Sequence, residues 1–202
     1  ISNDVTKEYA IMQYIQRALR NITGRPMGRF PGAHPITFTR RRLSHLRKTS
    51  YMVAENTDGI RFLLYASAKS GVFLIDRKFL FVWCKLSMDL PAETILDGEL
   101  IYENDQYVYY VFDALCYDRV NVTQLPLQDR LRVVQRFSRR VHPTNILRRK
   151  MKSMYALQDV SYVLTNVIPR LPHLSDGLIF TPCFDAYEPK QPILKWKPAF
   201  LN

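Results

Sequence analysis

Apolar and polar positions follow two different periods along this chain. Between residues 51 and 115 the apolar positions fall into short β-branched or aromatic runs, at 51–54, 60–65, 72–75, 79–83, 95–102 and 107–115. Polar or glycine-containing turns bound each run, and such runs predict strands. The close spacing leaves little room for crossover helices, which predicts mainly antiparallel pairing. Asp58-Gly59, between the first two runs, predicts a hairpin, because Gly tolerates positive φ and Asp bonds its own backbone.

Elsewhere the period lengthens to three and four. Ile11, Ile15, Ala18, Leu19 and Ile22 predict an amphipathic helix over 4–22, closed by Gly24 and Pro26. Leu43 and Leu46 predict a short helix between Arg40-Arg41-Arg42 and Arg47-Lys48. Leu127, Leu131, Val134 and Val141 predict another, its other face carrying Arg130, Arg132, Arg136, Arg139 and Arg140. Leu157, Val160, Leu164, Val167 and Ile168 predict a last helix before Pro169, and strands at 177–181 and 193–196 follow. With no repeat and no low-complexity linker, the pattern predicts one α+β domain over 1–202, its mainly antiparallel sheets flanked by helices.

Composition narrows the function classes. The chain has 202 residues, 47% of them hydrophobic, enough for one sizeable core. No apolar run approaches the roughly 20 residues of a membrane span. A formal net charge of +11 points to a polyanionic partner, nucleic acid or nucleotide phosphates. Cys84, Cys116 and Cys183 lie far apart without zinc-ligand spacing, and read as reduced core thiols of an intracellular protein. A first residue of Ile reads as a piece of a longer chain.

Four segments join a strand to charges that packing does not require. They are Leu74-Ile75-Asp76-Arg77, Leu96-Asp97-Gly98-Glu99-Leu100, Asp176-Gly177-Leu178-Ile179-Phe180 and Leu194-Lys195-Trp196-Lys197-Pro198. Singly, each has a plain structural reading: a turn for Asp76 and Arg77, an edge strand for Asp97 and Glu99, a wet strand face for Lys195 and Lys197. Together they offer carboxylates for Mg²⁺ and lysines for phosphates, the ingredients of nucleotidyl chemistry.

With Glu55-Asn56-Thr57-Asp58-Gly59-Ile60-Arg61 before them and Val111-Phe112-Asp113-Ala114-Leu115 among them, these segments form an ordered set. It strongly resembles the mRNA capping guanylyltransferases, of the covalent nucleotidyltransferase superfamily that also contains ATP-dependent DNA ligases. Phe30-Pro31-Gly32, Leu171-Pro172-His173 and the tryptophan of Leu-Lys-Trp-Lys-Pro are similar to its cellular, fungal-like branch. The resemblance runs from Phe30 to Pro198.

It implies a two-step reaction on a nucleotidyltransferase fold with twisted sheets. A lysine amine attacks the α-phosphate of GTP, giving lysyl-GMP, and the GMP then passes to the diphosphate 5′ end of RNA. By position, Asp58 and Gly59 shape the nucleophile turn, with Thr57 beside the nucleotide. Arg61 and Arg77 meet the ribose and nearby phosphate, Glu99 the ribose or metal, and Phe112 the guanine face. Asp176 organises Mg²⁺ (or Mn²⁺), and Lys195 and Lys197 bind the α-phosphate. The implied setting is the nucleus, with an RNA triphosphatase and the RNA polymerase II tail as partners.

One departure bears on the chemistry. Asn56 stands where the resemblance places the nucleophilic lysine. An amide lone pair is delocalised into its carbonyl and forms no phosphoramidate, and losing a covalent nucleophile costs other enzymes on the order of a million-fold in kcat. The covalent step is therefore expected to fail in this chain. Asn56 fits either a variant of an enzyme that otherwise carries Lys, which the intact charges elsewhere favour, or a non-catalytic relative. The family's OB-fold lid is expected to be absent from this stretch, which would further impair the first step. Two other readings stand beside the guanylyltransferase. One is a non-catalytic guanine-nucleotide or cap-binding module. The other is an ATP-using ligase relative, which Leu-Lys-Trp-Lys-Pro and Phe-Pro-Gly argue against.

Overall fold

The structure, a computed structural model, describes residues 9–26, 28–68, 71–84, 90–138 and 147–198, without the side chains of 136–138. Two sheets carry it. The first holds β1 (Ile36–Thr37), β2 (Tyr51–Thr57), β10 (Tyr155–Ala156), β11 (Ser175–Pro182) and β12 (Leu194–Trp196), in the order β1-β12-β11-β2-β10. The second holds β3 (Ile60–Ser67), β4 (Gly71–Ile75), β5 (Phe81–Cys84), β6 (Thr94–Glu103), β7 (Gln106–Tyr117) and β8 (Val120–Asn121). Its order is β5-β4-β3-β6-β7-β8, and β9 (Arg148–Met151) also pairs with β7. The ladders are antiparallel except β1 on β12 and β9 on β7. The α+β expectation holds.

Burial explains the continuous apolar runs of the larger sheet. Along β3, Leu63 and Tyr65 face one apolar cluster with Ile15 and Leu19 of α1 (Tyr9–Thr23), while Leu64 and Ala66 face another with Val134 of α3 (Leu127–Ser138). Strands covered on both faces lose the polar alternation of a half-wet sheet. The smaller sheet has a core of its own, where Val53, Leu178, Phe180 and Leu194 pack against Val163 and, from α2 (Leu43–Lys48), Leu46.

Several expectations change. The Asp58-Gly59 turn closes no hairpin: β2 pairs with β10 and β11, and β3 with β4 and β6, so the turn hands the chain from one sheet to the other. Because β2 is buried along nearly its whole length, it lies inside its own sheet instead of folding back on β3. The helix expected over 157–168 breaks into a 3₁₀ turn (Leu157–Asp159), one α turn (Val160–Tyr162), a π segment (Val163–Val167) and a final 3₁₀ turn (Ile168–Arg170). Pro169 has no N–H to donate to the carbonyl one turn back, and Thr165 Oγ1 donates to the Ser161 carbonyl at 2.9 Å, so the regular ladder is not sustained.

Strand 79–83 begins only at Phe81, since Phe79 sits at φ 60° in a turn whose N–H groups of Lys78 and Leu80 donate to Asp76 Oδ1. Asp76 is thus a turn residue. Arg130 leaves the supposed solvent face of α3: its Nε and Nη2 donate to Asp113 at 2.7 and 3.0 Å in the interior. Residues 4–8, Arg139, Arg140 and Val141 and the side chain of Arg136 lie outside what is described. All three cysteines are free and buried, as expected of core thiols.

Candidate active site

The turn between the sheets opens onto a cavity of about 350 Å³. Asn56, Thr57, Asp58, Gly59 and Arg61 enter it from the turn and its flanking strands, with Glu99 from β6 and Phe112 from β7. Arg77 comes from the turn after β4, Asp176 from β11 and Lys195 from β12. Lys197 joins through Asp176: its ammonium donates to Asp176 Oδ2 at 2.6 Å, while Lys195 lies 3.8 Å from the same oxygen. The residues to which the resemblance assigns a role therefore meet around one cleft, whereas Asp76 stays in its turn.

Two glycines let the strands close on it. Gly98 of β6 lies against β7 so tightly that a Cβ there would stand 2.5 Å from the Tyr110 carbonyl. Gly177, at φ +126°, is where β11 bulges, and a Cβ would come within 2.2 Å of the Trp196 carbonyl. The Asp-Gly pairs at 97–98 and 176–177 are thus demanded by close approach as much as by charge.

The cleft's frame is ionic. Arg61 donates from Nε and Nη2 to Asp97 at 2.9 and 2.6 Å and from Nη1 to the Ala33 carbonyl at 2.8 Å. Its guanidinium carbon lies over the rings of Phe30 and Phe112, 5.2 and 5.4 Å from their centroids. Burial alone would lower the Arg61 pKa, but the Asp97 charge and hydrogen bonds outweigh it and leave it raised. Tyr187 adds a donated hydroxyl to Asp97 Oδ2 at 2.5 Å.

Sequence reading passed over three residues. Lys152, just past β9 and 5% exposed, places Nζ 2.5 Å from Thr57 Oγ1, 3.2 Å from Glu99 and 3.5 Å from Glu55. The signal was available, since Lys150-x-Lys152 has the spacing of Lys195-x-Lys197, but it sits in a basic run that reads as solvated. Glu55 accepts from Thr57 Oγ1 at 2.8 and 2.9 Å. His173 is wedged between carboxylates, Nδ1 3.2 Å from Glu103 and Nε2 3.5 Å from Glu55.

These neighbours set protonation. Burial works to raise Glu55, but the His173 hydrogen bond, the Lys152 charge and the Thr57 hydroxyl bring it below the usual carboxylate value. Burial works to lower His173, and its two carboxylate partners raise it.

Asn56 is 4% exposed, and among the described residues its Nδ2 is a buried donor with no acceptor. Such a group costs about 1–3 kcal/mol, which an acceptor entering the cleft would offset. Among the described residues no three His, Cys, Asp or Glu side chains cluster to hold a metal ion. Asp176 and Glu99 both stand on the cleft wall, each beside an ammonium: Lys197 at 2.6 Å from Asp176 and Lys152 at 3.2 Å from Glu99.

Residues 3–199 match the family model "mRNA capping enzyme, catalytic domain". The chain is 32% identical over 226 residues to the mRNA-capping enzyme subunit alpha of Neurospora crassa, covering 93% of this chain and 56% of that protein. It is 29% identical to the Schizosaccharomyces pombe protein of that name, over 95% of this chain and 56% of the other. For the Saccharomyces cerevisiae protein the values are 31%, 88% and 47%. The chain thus spans about half the length of the curated relatives it matches. Among solved structures, a mycobacterial DNA ligase D complexed with ATP and MES superposes with a TM-score of 0.55 at 16% identity, covering 82% of this chain and 58% of that one, a likeness of fold. With this cleft and these relatives, the chain belongs to the mRNA capping enzyme catalytic-domain family.

Proposed function

We propose that this chain is the nucleotide-binding half of an mRNA-capping guanylyltransferase site, and that with Asn56 at the nucleophile position it holds GTP reversibly. The observation that carries the reading is the Asn56 amide, buried without an acceptor among the described residues on a cleft wall that also bears Lys195, Asp176, Glu99 and Arg77.

In the reaction assigned to the family, a lysine nitrogen at position 56 would bond to the α-phosphorus of GTP as the bond to the departing pyrophosphate breaks. GMP would then move to the terminal phosphate of a 5′-diphosphate RNA. Ammonium groups near such a lysine lower its pKa and expose the lone pair. Lys195 and Lys197 would offset the charge that grows on the phosphoryl oxygens. Bound Mg²⁺ (or Mn²⁺), held by Asp176 and Glu99, would supply further positive charge there. Arg77 would meet phosphate, Arg61 would hold the ribose side of the cleft, and Phe112 would stack on the guanine. Asn56 can donate a hydrogen bond to a phosphate oxygen but cannot displace pyrophosphate.

The same amide favours a second reading, a guanine-nucleotide or cap-binding module that never performs the covalent step. Equilibrium titration separates the readings. GTP binding that strengthens with Mg²⁺ supports the first. Preference for a cap dinucleotide without any Mg²⁺ dependence supports the second, and preference for ATP contradicts both. The partners we propose are 5′-diphosphate RNA, an RNA triphosphatase and the RNA polymerase II tail, in the nucleus. Relatives named "subunit alpha" support a partner subunit.

A further inference from the structure

A second charged feature lies at the rim of the smaller sheet. Thr39 leads into a 3₁₀ turn, Arg40–Arg42, which runs directly into α2 and ends on Arg47 and Lys48. Neither piece has an acidic residue in its first turn. Arg40, Arg41, Arg47 and Lys48 are exposed, and among the described residues no carboxylate pairs with them. Arg42 is half-buried, and its Nη1 is a buried donor without an acceptor among the described residues. Like charges gathered in this way repel one another, and a polyanion relieves them together.

The feature is held in place. Leu46 packs into the apolar cluster of the smaller sheet, and His45 Nδ1 lies 3.1 Å from Gln191 Oε1, in the loop that leads to β12. It is also connected to the cleft. His34 and Pro35 line the cavity, and β1 follows at once, with Thr37 in register beside Lys195. Arg40 lies three residues beyond Thr37, about 10 Å of extended chain. The cations therefore begin within a nucleotide or two of the phosphate-facing lysine.

We propose that the Arg40–Arg42 turn and α2 form a docking surface for single-stranded RNA, receiving the phosphates that follow a 5′ end lodged in the cleft. The proposal rests on the capping reading of the cleft. RNA carries a negative phosphate at every nucleotide, and a row of cations that leads away from the cleft matches a strand that leaves it.

The test measures anisotropy of a labelled 5′-diphosphate RNA of about a dozen nucleotides across a salt series, with GTP binding read in the same samples. The variant R40E/R41E/R47E is set against R17E/R20E/R119E, which reverses as many exposed charges elsewhere. R40Q/R41Q/R47Q guards against a folding defect. At about 0.1 M salt the first variant is expected to bind RNA at least ~10-fold more weakly, with the slope of log K against log salt reduced by about 2. The neutral variant falls between it and the unaltered chain, the control loses about 3-fold at most, and GTP affinity is unchanged in all three. Equal weakening by both reversals, or by neither, overturns the proposal. So does loss of a phosphorylated acidic peptide with RNA binding intact. Absence of GTP binding in the unaltered chain contradicts the cleft reading instead, and the RNA comparison still decides the surface.

Discussion

The Lys152 ammonium lies 2.5 Å from the hydroxyl of Thr57, the residue immediately after Asn56. One contact thus ties the residue just past β9 of the larger sheet to the end of β2 in the smaller one. Lys152 also faces Glu99 and Glu55, so it is a buried cation shared by a half-buried and a buried carboxylate at the cleft. Removing it leaves Glu99 without this cation and Glu55 with only His173 and Thr57 as partners. Lys152→Ala is expected to lower unfolding free energy by about 3–5 kcal/mol, the usual cost of breaking a buried ion pair from one side. Urea denaturation checks this, and a loss below about 1 kcal/mol would contradict the assigned role.

The Arg61–Asp97 pair makes a second prediction. Asp97 is fully buried and accepts two guanidinium hydrogen bonds and the Tyr187 hydroxyl. Asp97→Asn keeps the shape but removes the charge, and should destabilise by about 3–5 kcal/mol. Tyr187→Phe removes one neutral donor and should cost about 1 kcal/mol to 2 kcal/mol. Thermal melts of both variants rank the two effects.

A third prediction concerns pH. His173 is raised above its ordinary 6.5, so its stabilisation is complete below that value and is lost as pH climbs through the raised one. Glu55 and Glu103 are lowered from 4.5, so theirs is complete above 4.5 and is lost on further acidification. The cluster thus contributes most between 4.5 and 6.5. The melting difference between the unaltered chain and His173→Gln should be largest near pH 6 and shrink toward about pH 9. A difference independent of pH would show that folding leaves the His173 pKa unshifted, and one that grows as pH rises would show His173 held neutral in the fold; either contradicts the assigned role.

Much of this was legible in the sequence, for physical reasons that also mark where it stopped. Strands such as β3 and β6 bury both faces, so their composition announces them. The cleft residues lay in strand-plus-charge segments that packing could not explain, and a resemblance gave their order. Asp58-Gly59 misled because a turn signal reports local backbone preference, whereas the partner of β2 was decided by burial against β11. The strand β9 (Arg148–Met151) was hidden by its charge, since a strand that gains its place through Lys150 pairing with Glu103 shows no apolar alternation. Lys152 and His173 were missed with it: their partners Glu55, Glu99 and Glu103 are distant in sequence, and only the closure of the two sheets brings them together.

The account stands or falls on what position 56 can do. The direct measurement is intact mass of the denatured full-length protein after incubation with GTP and Mg²⁺, for the unaltered sequence and for Asn56→Lys. The account predicts no added mass with Asn56 and a GMP-sized addition, mapping to position 56, with Lys. A GMP adduct on the unaltered protein, or none on the lysine variant while GTP still binds, would contradict it.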